Sequence, residues 1–302
     1  MIQAIEAYLA VRRAGGFELK NVDYLLRSYA RFAAERGESR VRSATAIQWA
    51  SQSRSVAQRD ARLKSVCRFA RFVRLEDERH ELPPAAHFAC HKTRRLPYIY
   101  SGAELERLIK AALQLGPPGA LRPHTYATLI ALLSVTGLRI SEALNLRLSD
   151  LSTEGLVICK SKFRKSRLVP LHDTAVLGLE RYLRRRCRWD ATNDSVFITD
   201  ADRSLPYGAV YCTFQKLLRT AKLWPAPGAN RPRLHDLRHR FAVRALQASP
   251  QGVGSTSQHM LALSTYLGHA NINDTYWYLE ATSELLRGIS TACETFYEET
   301  QS

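Results

Sequence analysis

The chain has 302 residues, 45% of them apolar, which is long for one compact core and comfortable for two domains. Its 44 Lys and Arg against 28 Asp and Glu leave a net charge of +16, so a polyanion is the expected partner and nucleic acid the leading one, although a ribosomal or membrane-surface protein would share this balance. Glu6 interrupts what would have to be the apolar centre of a leader peptide, and no run is long enough to span a bilayer, so a cytoplasmic, nucleoid-associated protein is expected. Cys67, Cys90, Cys159, Cys187, Cys212 and Cys293 form no C-x-x-C pair, which indicates neither a zinc knuckle nor a disulfide framework.

In chain order, the apolar positions Val22, Leu25, Leu26, Tyr29 and Phe32 predict a helix that stops at Gly37. Thr45 can cap a short helix through Trp49. Ser55 begins a longer one whose Leu63, Val66, Phe69, Ala70 and Val73 face one way. The other face carries Lys64, Arg68 and Arg71, either a solvated stripe or a surface laid on DNA phosphates. Periodicity then disappears from Glu76 to Pro97, a stretch with three prolines that reads as an extended connector. The expected organisation is a helical DNA-binding domain over 1–85, a linker over 86–97 and a second domain over 98–302. Residues 1–97 hold 19 basic and 10 acidic residues, the remainder 25 and 18, so both parts can touch the same duplex.

The second part reads as mainly helical with a small antiparallel β insert. Ser101 caps a helix, and Tyr126–Val135 forms an apolar helix ended by Gly137. Leu156–Lys160 and Leu168–Leu171 are short strands flanking the polar loop SKFRKSR. Further helices are expected at Thr174–Arg186, Tyr207–Lys222, Asp236–Ala248, Gln258–Leu267 and Ser283–Phe296. The basic run Arg181–Trp189 is as compatible with a solvated helix end as with a phosphate contact.

Three segments carry chemistry: TGLRISEALNLRLSDL around Arg139, HDLRHRF with His235 and Arg238, and LGHANINDTYWYL, in which His269 precedes Tyr278 by nine residues. Glu142, three residues after Arg139, can reach back to orient its guanidinium, or can act as a simple first-turn acid. His235 and Arg238 are spaced to share one face of a helical turn. His235 and His239 also form H-x-x-x-H, but Asp236 stands where a metalloprotease needs glutamate, and no third ligand is indicated.

Together with the hairpin lysines, these segments resemble the tyrosine recombinase family, in detail over residues 96–290 and only in general character before that. The resemblance implies a C-shaped clamp of a core-binding and a catalytic domain around duplex DNA, which cuts and rejoins strands through a 3′-phosphotyrosine without ATP or metal. It assigns the nucleophile to Tyr278, with Tyr276 as the alternative in the same aromatic run. Phosphate binding falls to Arg139, Arg238 and His269, and the base to His235. Metal-free phosphodiester cleavage needs such fixed cationic donors, and a tyrosine with an ordinary pKa near 10 needs help to lose its proton. The general acid falls to Lys162, although Ser161 and Phe163 replace the usual glycines of that turn and Lys160 and Lys165 lie close. Lys160, Arg164 and Lys165 are expected to grip DNA. The family works as a tetramer on two sites, free as a monomer, sometimes with accessory DNA-bending proteins. The segment after Tyr278 can dock in cis or in trans. The loops ALQASPQGVGSTSQHM and LGPPGALRPH are longer than the family usually needs. A type IB topoisomerase-like enzyme and a catalytically silent DNA-binding regulator are the rival readings.

Overall fold

A computed structural model of the protein describes residues 1–90, 95–159, 166–189, 191–248, 256–268, 271 and 275. The chain divides into two compact units, Met1–Arg95 and Leu96–Ser302, each with its own apolar core.

Among the described residues, the first unit holds four helices: α1 (Ile2–Ala14), α2 (Lys20–Ala34), α3 (Ser43–Ser51) and α4 (Val56–Val73). The helix α1 was not expected. Its signal is the short repeat Ile5, Tyr8 and Leu9, which buries one stripe against α2 and α4. Ser55 caps α4 by accepting from the Gln58 N–H at 3.2 Å. The predicted inner face of α4 is buried throughout, and Arg68 and Arg71 are exposed on the other side. Lys64 is half-buried and reaches Asp60 at 2.8 Å. The stretch after α4 is less extended than its composition predicts. Asp77 pairs with Arg40, Glu81 accepts from the Ser43 N–H and from Arg42, and His80 Nδ1 accepts from the Val41 N–H at 3.0 Å. These partners lie some 37 to 39 residues away in sequence, beyond the reach of a local pattern.

The second unit begins with α5 (Gly102–Leu113), where Ser101 and Glu104 form a reciprocal capping box, and α6 (Arg122–Thr136). The helix α6 is buried on nearly every side, packs on α5 and ends at Gly137. There follow a short α7 (Ile140–Leu144) and an antiparallel sheet in the order β1 (Leu151–Ser152), β2 (Gly155–Ile158), β3 (Arg167–Val169). Leu156 pairs with Val169 and Ile158 with Arg167, which points Leu156, Ile158 and Val169 into the core. The β2–β3 hairpin follows the sequence pattern, whereas the two residues of β1 are too few for any periodicity. The remaining helices are α8 (Asp173–Cys187), α9 (Tyr207–Thr220), α10 (His235–Gln247) and α11 (Thr256–Leu267); α8 and α10 also pack on α6. The helix expected at 283–296 lies outside the described residues, as do the hairpin turn 160–165 and most of the longer loop before α11. Among the described residues, no helix is long and apolar enough to cross a membrane.

Candidate active site

Four chain segments meet in the second unit. The first is the bend between α6 and α7. Gly137 takes φ 61°, and a Cβ there would stand 2.5 Å from the Phe241 ring, so glycine meets both a backbone and a packing demand. The bend places Arg139 at the start of α7. There its backbone N–H donates to Glu142 Oε2 at 2.9 Å and its Nη1 donates to Glu142 Oε1 at 2.8 Å. The spacing Arg139-x-x-Glu142 thus fixes the guanidinium, as the reach-back reading anticipated.

The second segment is the first turn of α10. Asp236 is buried and caps that turn by accepting from the Arg233 N–H at 2.7 Å. Two residues on, Arg238 is 2% exposed and donates from Nη1 to the Gly137 carbonyl and from Nη2 to the Leu267 carbonyl, both at 2.7 Å. His235 opens the same helix, with its ring edge-to-face on His239 at 4.7 Å. Desolvation and then the positive charges of Arg238, Arg233 and Arg139 push the His235 imidazole down to about 4. Because the residue remains exposed on its outer side, the three cations carry this direction more firmly than burial does. His235 is therefore a neutral acceptor at neutral pH.

The third segment is the end of α11. Its last turn leaves carbonyls without helical partners, and two consecutive ones receive the arginines: Leu267 from Arg238 and, at 2.9 Å, Gly268 from Arg139 Nη2. Gly268 takes φ +66°, and a Cβ there would meet Arg167 Nη1 at 3.1 Å. The fourth segment is β3, where Arg167 donates from both Nη atoms to Glu142 at 3.0 and 2.9 Å and from Nε to the Tyr266 carbonyl at 2.8 Å. Burial alone would raise the Glu142 carboxyl, but the bonds and charges of Arg167 and Arg139 outweigh it and hold it down at about 2.

The site therefore gathers Arg139, Glu142, His235 and Arg238, four of the residues expected from sequence, with the carbonyls next to His269. A guanidinium has five N–H donors, so the two side-chain bonds of Arg139 leave others for an anion. His269, Tyr276, Tyr278, Lys160, Lys162, Arg164 and Lys165 lie outside the described residues. Lys64, Arg68 and Arg71 belong to the first unit. In the run Arg181–Trp189, Arg186 is buried and binds the Asn193 carbonyl, a structural role, whereas Arg181, Arg184, Arg185 and Arg188 are exposed. Sequence reasoning missed Arg167. It stands in a run of basic residues, and its partners lie 25 and 99 positions away.

The sequence pattern of the phage integrase family matches residues 100–284. The chain is 36% identical to a Sinorhizobium fredii protein named "Putative integrase/recombinase y4rB", over 98% of each chain. It is 28% identical to the tyrosine recombinase XerD of Halalkalibacterium halodurans, over 78% of this chain and 73% of that one. Among solved structures, it is similar to a lambda integrase tetramer bound to a Holliday junction, with a TM-score of 0.65 and 16% identity over 91% of this chain and 76% of that one.

Proposed function

The chain belongs to the phage integrase family, and on that premise we propose how its residues divide the work of a tyrosine recombinase. The enzyme is a site-specific DNA recombinase that breaks and rejoins strands through a 3′-phosphotyrosine. In this reading Tyr278 Oη attacks the scissile phosphorus, the bond to the 5′ oxygen breaks, and the phosphate stays on Tyr278. His235, neutral at working pH, accepts the tyrosine proton, and Lys162 gives one to the departing 5′ oxygen. Arg139, Arg238 and His269 stabilise the charge that builds on the non-bridging oxygens. The 5′-hydroxyl of a partner strand then reverses the step, so the bond energy is conserved.

One observation carries this assignment. Arg139 and Arg238, drawn from different segments, are anchored on the consecutive carbonyls of Gly268 and Leu267, immediately before His269. Two cations thereby converge on one place, within electrostatic reach of the His235 imidazole, an arrangement that suits a phosphodiester. DNA is the partner, and the lambda integrase neighbour, a tetramer on a Holliday junction, supports a tetrameric synapse for this chain as well. Topoisomerase-like relaxation and silent regulation are not favoured by these relatives.

The test is covalent trapping without divalent metal, on nicked duplexes tiling the DNA on either side of the chain's own coding sequence. Wild type and Tyr276→Phe are expected to form denaturation-resistant adducts, and Tyr278→Phe none. Adducts that persist in Tyr278→Phe and vanish in Tyr276→Phe would move the nucleophile; binding without any adduct would favour the silent regulator.

A further inference from the structure

We infer that Arg167 is a positioning residue for Arg139, and that it keeps the phosphate-binding cluster positively charged. The inference rests on the reading of Arg139 as a phosphate ligand. Glu142 is buried and accepts four bonds: from Arg139 through its backbone N–H and Nη1, and from Arg167 through Nη1 and Nη2. An ionised carboxylate has about four acceptor sites, so both oxygens are saturated. One negative charge lies between two guanidiniums, and the trio carries a net positive charge. Without Arg167 the remaining pair is neutral, and Glu142 is free to take the Arg139 fork in a two-bond embrace that pulls it away from the Gly268 carbonyl.

The geometry favours a role through Glu142 over a direct phosphate contact. Three of the five N–H donors of Arg167 are committed, Nε to the Tyr266 carbonyl and both Nη atoms to Glu142, whereas Arg139 commits two from its side chain. Arg167 acts through Glu142. Its bond to Tyr266 also ties that carboxylate to the turn whose next two carbonyls hold Arg238 and Arg139. Gly268 takes part in the same arrangement, since a methyl group there would press on the Arg167 guanidinium at 3.1 Å.

The experiment compares wild type, Arg167→Ala, Arg167→Lys and the double variant Arg167→Ala/Glu142→Gln. It measures single-turnover adduct formation on a duplex that wild type traps, with the scissile group as native phosphate or as methylphosphonate, and melting temperature alongside. Arg167→Ala is expected to slow the native substrate by about 100-fold, the scale of losing one preorganised charge donor. The methylphosphonate, which has no non-bridging negative charge to stabilise, is expected to slow less than about tenfold on the same ground. Neutralising Glu142 in the double variant is expected to restore at least about tenfold of the native rate, because the amide no longer draws off the Arg139 charge. Arg167→Lys should fall between wild type and Arg167→Ala. Equal losses on both substrates, or no recovery in the double variant, would overturn the inference and leave Arg167 a structural brace. If Arg167→Ala does not fold, the lysine and double variants carry the comparison. A DNA-free arm uses orthovanadate. The part of its thermal stabilisation that Arg139→Ala abolishes should shrink in Arg167→Ala and return in the double variant, and an unchanged shift in Arg167→Ala would also overturn the inference. Should wild type trap no duplex, the proposed function fails, while the vanadate arm still decides the role of Arg167.

Discussion

The Arg238 guanidinium donates to the Gly137 carbonyl at 2.7 Å, across 101 residues of chain. That carbonyl faces Arg238 because Gly137 leaves α6 with φ 61°, and no side chain fits there without meeting Phe241 at 2.5 Å. Gly137→Ala must strain the backbone, displace Phe241 from its stack on Tyr266 and move the acceptor of a buried cation. A loss of about 2–4 kcal/mol in stability is expected, with adduct formation slowed beyond what the loss of folded protein explains. Denaturant titration beside single-turnover trapping checks both, and a variant as stable and as fast as wild type would show that the bend adapts.

Glu142 makes the acid stability of the second unit predictable. Its carboxyl sits at about 2 when folded, against an ordinary value of 4.5. A depressed carboxylate contributes stability that is present above the unfolded value and is lost as pH falls through the folded one. The window is therefore roughly pH 4.5 down to 2, and the contribution is on the order of 3 kcal/mol. Glu142→Gln should flatten this limb of the stability profile. It should also destabilise at neutral pH by about 3–5 kcal/mol, since Arg139 and Arg167 then face each other across a neutral amide. Urea unfolding at stepped pH gives both numbers, and a profile parallel to wild type between pH 4.5 and 2 would remove Glu142 from the linkage.

These two cases mark how far the sequence is legible. Elements defined by local chemistry are readable: the Ser101 capping box, the Gly137 stop, the apolar face of α4 and the Arg139-x-x-Glu142 pairing each depend on residues within a few positions. What is unreadable depends on distant partners. Arg167 looks like one more basic residue beside a hairpin turn, and only the fold brings it to Glu142 and Tyr266. The segment after α4 looks like a linker because Asp77 and Glu81 find Arg40 and Arg42 through tertiary structure. The convergence of Arg139 and Arg238 on adjacent carbonyls is of the same kind, since motif order carries no distances. Helix α1 differs, because the spacing of Ile5, Tyr8 and Leu9 is itself a local periodic signal.

His235 should titrate well below an ordinary histidine, because desolvation and then Arg238, Arg233 and Arg139 oppose its protonation. Its folded value near 4 lies below the ordinary histidine value of 6.5, so the unfolded chain takes up the proton first. This group therefore lowers stability as pH falls from about 6.5 to 4 and has no effect above that range. A phosphate in the site adds negative charge and should raise the value. Imidazole nitrogen NMR of the protein, alone and then with saturating inorganic phosphate, is expected to show a midpoint below 6.5 that moves upward. A free-protein midpoint at or above 6.5 would mean that solvent on the exposed side screens the three cations, and would weaken the assignment of His235 as a base already neutral at physiological pH.

Arg68 and Arg71 allow the outer face of α4 to be tested as a DNA surface separately from the chemistry. Both are exposed on one side of a helix whose other side is core, whereas Lys64 beside them is already paired with the buried carboxylate of Asp60. If the two arginines neutralise phosphates, Arg68→Ala/Arg71→Ala should reduce the magnitude of the slope of log K against log salt by about 2 and weaken binding to all sequences alike. Lys64→Ala should change that slope less, because its charge is compensated within the helix, but should lower stability by about 1 kcal/mol or more by leaving Asp60 without its cation. Anisotropy titrations on a random-sequence duplex over a range of salt separate the two effects. An unchanged slope in the double variant would return this face to solvent and leave DNA affinity to the basic residues elsewhere in the chain.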